Sequence, residues 1–461
     1  MTVPEHTPPK SAWLPIAHNL LVGLSVSVVT LSLSAALGVL SGRGAFAGML
    51  SACIIVTVTS LLGGTRVQCS GPTGPMSALA AVILASATAW AADHPGEISG
   101  SLFFNLIMLE AAILLVLAGI FRVGALIKKV PNVVISGFMN GIALIIWLSQ
   151  TNRLIALEQD GTTSNGGNVA VAAGTFLLTF GIAPVLRRIH PRLAVYLPGM
   201  LLAIIIATIA SHLLGLPVTS VDMGEGLHSL SSLLDRFTRN WIGGVSAGVL
   251  IAALPFALQI TALCYIDSLL TVRILDRITG RTSRPNQELA AQGFANGILA
   301  LIGGVPGAMA TERSVMAVRE GATMRIAGIA VGVFALIQLL LLQDLIGFIP
   351  EAVFSGVLFR LGYDVFDFLP MRLYFKELAK GRLHIVENWL DRHDDEPIFV
   401  THIEMALIVA TMVITGVFNL IAAVVIATLV FYFVQKTIAH GEPLRDLKPF
   451  TETRPTYEEI H

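Results

Sequence analysis

Apolar stretches recur fourteen times along the chain, each closed by a polar turn or loop. They run over 14–39, 44–62, 66–89, 102–121, 131–150, 169–186, 193–213, 243–272, 288–303, 306–319, 325–345, 349–368, 402–417 and 419–437. A full helical crossing of a bilayer takes about 20 residues. The stretches around 288–319 are too short for that, which predicts half-helices there. The fold class expected is therefore an all-α polytopic membrane protein with about fourteen transmembrane segments.

Two of these stretches are interrupted in a way lipid does not forgive. Gly303-Gly304-Val305-Pro306-Gly307 places three glycines and a proline inside an apolar run. In a helix interior Gly costs about 1 kcal/mol and Pro about 3. At membrane depth a broken backbone persists only where it is buried in protein or lines a wet cavity. Gly71-Pro72-Thr73-Gly74-Pro75 is a second such break, in the other half of the chain. Paired interruptions of this kind point to a transporter's binding site, and the two are expected to face each other across one substrate.

Charge sets the orientation. With a cytoplasmic N-terminus, the inner loops hold Arg66, Arg122, Lys128, Lys129, Arg187, Arg188, Arg192, Arg273, Arg277, Arg281, Arg284, Arg319, Arg325, Arg372, Lys376, Lys380, Arg382 and Arg392. The outer loops keep Arg43, Arg153, Arg236 and Arg239 alongside acids such as Asp93, Glu97, Glu158, Asp160 and Asp222. That bias obeys the positive-inside rule and puts both termini in the cytoplasm, so the plasma (inner) membrane is the expected location. The division follows: a cytoplasmic segment 1–12, a first seven-span repeat 13–213, an outer loop 214–241, a second seven-span repeat 242–438 and a cytoplasmic tail 439–461. An odd number of spans per half forces the second half into inverted topology. Residues 371–398 form a cytoplasmic insertion, read either as an amphipathic helix or as a solvated loop.

Composition narrows the class. Only 13% of residues are charged and 54% are hydrophobic, with a mean hydropathy of +0.77, whereas soluble domains carry about 25% charged residues. A net charge of −1 leaves no basic footprint for nucleic acid. Cys53, Cys69 and Cys264 fall in apolar segments and read as small core residues. No nucleophile motif, metal spacing or nucleotide loop points to an enzyme.

Five ordered blocks carry a resemblance. They are Ser70-Gly71-Pro72-Thr73-Gly74-Pro75-Met76-Ser77, Val134-Ile135-Ser136-Gly137-Phe138-Met139, Ile266-Asp267-Ser268-Leu269-Leu270, Asn286-Gln287-Glu288-Leu289 through Gln292-Gly293 to Asn296, and Gly303 to Ser314. Together they resemble the SulP family of inorganic-anion transporters over about 20–433. The branch most similar in motif is the cyanobacterial sodium-dependent bicarbonate transporters. The resemblance implies a seven-plus-seven inverted repeat with core and gate domains, in which spans 3 and 10 each begin as a short strand and continue as a half-helix. Four departures stand out: no C-terminal STAS domain, Ser32 where the first span usually has proline, Met309 at a position that is usually glycine, and Asn419 for a frequent aspartate. The first leaves dimerisation open, although a homodimer fits the family.

The site expected from these residues has two parts. Asp267 lies deep in the eighth span, where an uncompensated carboxylate costs at least ~3 kcal/mol and marks function by default. Thr271 follows on the same helical face. With the Met309 carbonyl and the Thr311 hydroxyl, they form an oxygen set for Na⁺, the coupling ion in this reading. A proton-carrying Asp267 and a structural one are the other readings. Thr73, Gly74 and Met76 open one half-helix, and Ala310 and Thr311 open the other. Paired helix N-termini hold a small anion without a buried cation. Gln68 either donates to that anion or satisfies backbone. Arg313 either attracts the anion or pairs with Glu312 or another carboxylate, and Glu110 either snorkels or titrates. The function expected is import of a small inorganic anion, bicarbonate first, by Na⁺ symport through an elevator motion. In that scheme Na⁺ at Asp267 completes the anion site. The alternatives are proton-coupled or exchange transport of sulfate or a small carboxylate, and a passive anion channel.

Overall fold

The structure is a computed structural model that describes residues 13–124, 131–159, 166–189, 199–220, 238, 245–346, 348–379, 400–417, 420–437, 444 and 446–447. The segment 1–12, most of the 214–241 loop, the insertion from 380 to 398, Asn419 and most of 439–461 lie outside the described residues.

The regular structure of the described residues is helical, apart from two two-residue strands and an isolated bridge between Ser220 and Pro350. In order it forms α1 (Trp13–Leu40), α2 (Ala45–Leu62), β1 (Ser70–Gly71), α3 (Gly74–Asp93), α4 (Gly100–Ile120), α5 (Asn132–Gln159), α6 (Gly167–Ile189) and α7 (Gly199–Leu213). There follow α8 (Ala247–Thr279), α9 (Pro285–Ile302), β2 (Ala308–Met309), α10 (Thr311–Arg319), α11 (Arg325–Ile346), α12 (Glu351–Val365), α13 (Leu369–Ala379), α14 (His402–Val417) and α15 (Leu420–Thr437). Among the described residues, seven helices are long and apolar enough to cross a membrane, and three shorter apolar ones accompany them. This is an all-α polytopic membrane fold.

Each expected segment finds its helix, with shifted ends. α8 continues to Thr279, beyond the apolar boundary at 272, because Arg273 and Asp276 extend it as a polar, amphipathic end. α1 runs unbroken through Ser32, whose hydroxyl donates back to the Val28 and Val29 carbonyls.

Two compact units divide the chain. The larger comprises residues 1–125 and 150–360. Within it α11 packs on α1 and α2, and α9 packs on α4 and α2. Small residues allow the close approach: a first side-chain carbon at Gly332 would lie 1.9 Å from Thr57 Oγ1. In lipid this tight packing replaces the hydrophobic drive that water supplies elsewhere. The smaller unit comprises residues 126–149 and 361–461. Val133, Val134, Ile403, Leu407, Ile408, Phe431, Leu444 and Leu447 form its core. Thr401 and Glu404 cap α14 reciprocally: the Glu404 N–H donates to Thr401 Oγ1 and the Thr401 N–H donates to Glu404 Oε2. Over the described part of the 371–398 insertion the chain is helical, as α13. Leu373 and Tyr374 pack on the core while Phe375 is 62% exposed.

Candidate functional site

In the larger unit the two broken segments meet. β1 and β2 pair antiparallel, with Ser70 opposite Met309 and Gly71 opposite Ala308. At nine residues α10 is a half-helix, about 14 Å long at 1.5 Å per residue, and cannot span a core of about 30 Å. Gly303, at φ 73°, ends α9 in the left-handed region that favours glycine. Gly307 is required by contact, since any side chain there would begin 2.5 Å from the Gly71 carbonyl oxygen.

Side chains from surrounding helices satisfy the freed backbone, as the absence of water at this depth demands. Ser51 Oγ accepts the Val305 N–H at 2.7 Å. Asn296 accepts the Gly307 N–H and donates to the Gly307 carbonyl, both at 2.9 Å. Ser268 Oγ accepts the Met309 N–H at 3.2 Å, and Ser314 Oγ accepts the Cys69 N–H at 2.9 Å. Gln292 donates to Ser70 Oγ at 2.7 Å. Gln292 and Asn296 therefore tie α9 to both strands. The roles of Ser51, Ser268 and Ser314 escaped the sequence reading, because a serine in an apolar run carries no signal of its own.

Three of the four oxygen donors expected around a cation lie together, and the fourth, the Asp267 carboxylate, is placed by its bond from Thr73. Thr271 Oγ1 is 2.6 Å from Thr311 Oγ1 and 3.2 Å from the Met309 carbonyl oxygen, and it donates to the Asp267 carbonyl at 2.9 Å. Thr271 is fully buried, whereas Asp267 and Thr311 keep partial exposure. One carboxylate, two hydroxyls and one carbonyl make an all-oxygen set, the kind hard cations prefer. Met309, fully buried, is accommodated within the paired strand rather than displacing it.

The anion-facing residues divide. Thr73 is the N-cap of α3: its Oγ1 accepts the Met76 N–H at 3.4 Å and donates to Asp267 Oδ2 at 2.8 Å. The Met76 N–H is thus directed to its own cap, while Gly74 opens the helix. Ala310 caps α10 with no side-chain hydrogen bond, so the first N–H groups of α10, beginning at Thr311, carry the positive end of the dipole without a side-chain cap. Gln68 is engaged inside the protein: its Nε2 donates to the Thr59 carbonyl, and its Oε1 accepts from Ser70 Oγ, both at 2.7 Å.

Arg313 is 2% exposed. Its guanidinium donates to the Pro72 carbonyl at 2.6 Å and to Ser34 Oγ at 3.3 Å, bracing α10 against the β1–α3 turn and α1. Gly71 makes room for it, because a first side-chain carbon there would meet Nη1 at 2.8 Å. Glu312, its neighbour in sequence, is exposed. Glu110 lies midway along α4, half-buried, and its Oε2 has no hydrogen-bond partner among the described residues.

A polytopic helical membrane protein, with the 20-residue α3 and the half-helix α10 starting from opposite ends of a paired strand, is the class that this fold and site define. Residues 16–377 match the sulfate permease family, and the chain belongs to it. It is 27% identical over 380 residues to the bicarbonate transporter BicA of a Picosynechococcus species, covering 80% of this chain and 65% of that protein. A putative sulfate transporter of Bacillus subtilis, YvdB, is 27% identical over 355 residues, covering 75% and 64%. Both relatives are named as transporters, not enzymes. The transmembrane domain of a cyanobacterium bicarbonate transporter BicA superposes with a TM-score of 0.68 at 25% identity, covering 90% of this chain and 99% of that one. The murine anion transporter Slc26a9 in its inward-facing state reaches 0.71 at 14% identity, covering 94% and 70%, a likeness of fold alone. The chain spans just under two thirds of the length of the curated relatives it matches.

Proposed function

We propose that this protein is a secondary active transporter that imports a small inorganic anion, bicarbonate first, by symport with Na⁺. The observation that carries the reading is the convergence of Thr271, the Met309 carbonyl and Thr311 at the start of α10, with Asp267 one turn before Thr271 on α8 and joined by Thr73 to the start of α3. A cation there neutralises the only carboxylate of the set, and two helix N-termini then offer donors to an anion. Thr73, Gly74, Ala310 and Thr311 form the anion side. The Arg313 guanidinium adds positive charge close by while holding both breaks in place. Movement is elevator-like, one part of the chain carrying both ions past the rest, on a seven-plus-seven inverted repeat with both termini cytoplasmic. BicA, a relative named as a bicarbonate transporter, supports bicarbonate, and YvdB, named as a putative sulfate transporter at the same identity, makes sulfate the second reading.

Radiolabelled bicarbonate uptake into proteoliposomes tests this, with and without an inward Na⁺ gradient, for wild type and Asp267→Asn. Uptake that needs both Na⁺ and the carboxylate is the expected result. Sulfate entry driven by a pH gradient, indifferent to Na⁺, would sink the sodium and bicarbonate assignments together.

A further inference from the structure

The Thr73 hydroxyl oxygen joins the cation set to the anion-facing start of α3. It lies within hydrogen-bond distance of a carboxylate oxygen on α8 and a backbone N–H on α3. A hydroxyl has a single proton to donate and two lone pairs to accept with. Here the proton is committed to Asp267 Oδ2, at 2.8 Å, and one lone pair faces the Met76 N–H, at 3.4 Å. The side chain is held in place by its N-cap role, with backbone φ −116° and ψ 160°, and is 8% exposed. What remains free is rotation of the O–H bond.

We infer that Thr73 is the coupling residue of the transporter, a one-proton rotor whose donor points either at Asp267 or at the anion. The inference rests on the sodium-symport reading above and deepens it. With no cation bound, the proton serves Asp267, and an approaching anion meets an oxygen lone pair beside a bare carboxylate. Both repel it. A cation on the Asp267 oxygens takes up the lone pairs that held the proton and repels the proton itself. The O–H then turns away from α8, and the anion meets a donor at the start of α3. No bond to oxygen breaks and no proton leaves the residue. The coupling is reciprocal: an anion that captures the proton leaves Asp267 richer in lone pairs for the cation, as thermodynamic reciprocity requires.

The other hydroxyls do not bridge the two sets in this way. Thr271 points its proton among the Asp267 carbonyl, the Met309 carbonyl and Thr311, all within the cation group or its own helix, and the Thr311 hydroxyl, at the first position of α10, is held by Thr271 at 2.6 Å inside that same group. Ser268 Oγ is occupied by the Met309 N–H and approaches Cys264 Sγ at 3.8 Å. Ser70 Oγ belongs to the Gln68–Gln292 chain.

The test is a binding linkage on the purified full chain, read by calorimetry rather than by flux. Sodium gluconate is titrated with and without saturating choline bicarbonate, for wild type, Thr73→Ser and Thr73→Val. Wild type and Thr73→Ser are expected to bind Na⁺ about ten-fold or more tightly when bicarbonate is present, within the usual range for coupled sites. Thr73→Val keeps the shape and removes the rotor. Whatever its Na⁺ affinity in the absence of bicarbonate, bicarbonate is expected to shift that affinity by less than about two-fold. A residue that merely shaped the site would weaken both affinities and leave their ratio intact. A wild-type coupling factor in Thr73→Val, or its loss in Thr73→Ser, overturns the inference. If Thr73→Val does not yield folded protein, Thr73→Cys, with its weak donor, is read the same way, and undiminished coupling overturns the inference. Absence of Na⁺ binding to wild type would instead remove the sodium reading itself, and this inference with it.

Discussion

At the scale of single residues, the site depends on polar side chains that act for a broken backbone. Asn296 is the clearest, because one amide serves both the N–H and the carbonyl of Gly307. Asn296→Leu keeps the volume and strands two buried groups, at about 1–3 kcal/mol each. The expected loss is therefore about 2–6 kcal/mol, read as a lower melting temperature in detergent. A melting curve matching wild type would show that water or another side chain replaces the amide. Arg313→Lys keeps the charge but loses the planar fork that reaches Pro72 and Ser34 together. Losing a hydrogen bond from a charged donor costs about 1.5–3 kcal/mol. Initial uptake is expected to fall at least about ten-fold, and uptake at wild-type rate would assign Arg313 to electrostatics alone. Asp267 and Thr271 were legible as a pair, since they lie one helical turn apart. The Thr73–Asp267 bond was not, because its partners are 194 residues apart and nothing in either local pattern refers to the other.

At the scale of elements, the breaks were legible and their partnership was not. Glycine and proline reveal where a helix stops, and nine residues reveal that α10 is half a crossing. Two-residue strands have no period from which a register can be drawn, so the pairing of Ser70 with Met309 appears only in three dimensions. Gly307→Ala tests that pairing. Its methyl would press on the Gly71 carbonyl from 2.5 Å, and overpacking of this kind costs about 1–3 kcal/mol. Because the strands position the starts of α3 and α10, the substitution is expected to reduce bicarbonate uptake more than it lowers the melting temperature. The reverse order, with destabilised protein and normal uptake, would separate the strand pair from the site. Helix ends were the other weak point: hydropathy closes α8 where polar residues begin, whereas the backbone continues for two more turns.

At the scale of the whole molecule, the polytopic class was legible from hydropathy and charge alone, and the long-range ties within each unit were not. In the smaller unit the Val133 N–H at the start of α5 donates to Asp446 Oδ1 at 3.0 Å, across 313 residues of sequence. The Asp446 N–H in turn donates to Glu404 Oε1 at 2.6 Å. Asp446→Ala removes a carboxylate from a helix N-terminus, where such a cap is worth about 0.5–2 kcal/mol. A modest drop in melting temperature is expected while Na⁺ affinity stays unchanged, and an altered Na⁺ affinity would connect the two units energetically. The central claim, that cation and anion move together, is tested most directly by following the cation. Proteoliposomes are given radiolabelled sodium outside, with bicarbonate present or replaced by gluconate. Sodium entry that requires bicarbonate, and that Asp267→Asn abolishes, is the predicted result. Bicarbonate entry with no accompanying sodium would contradict it.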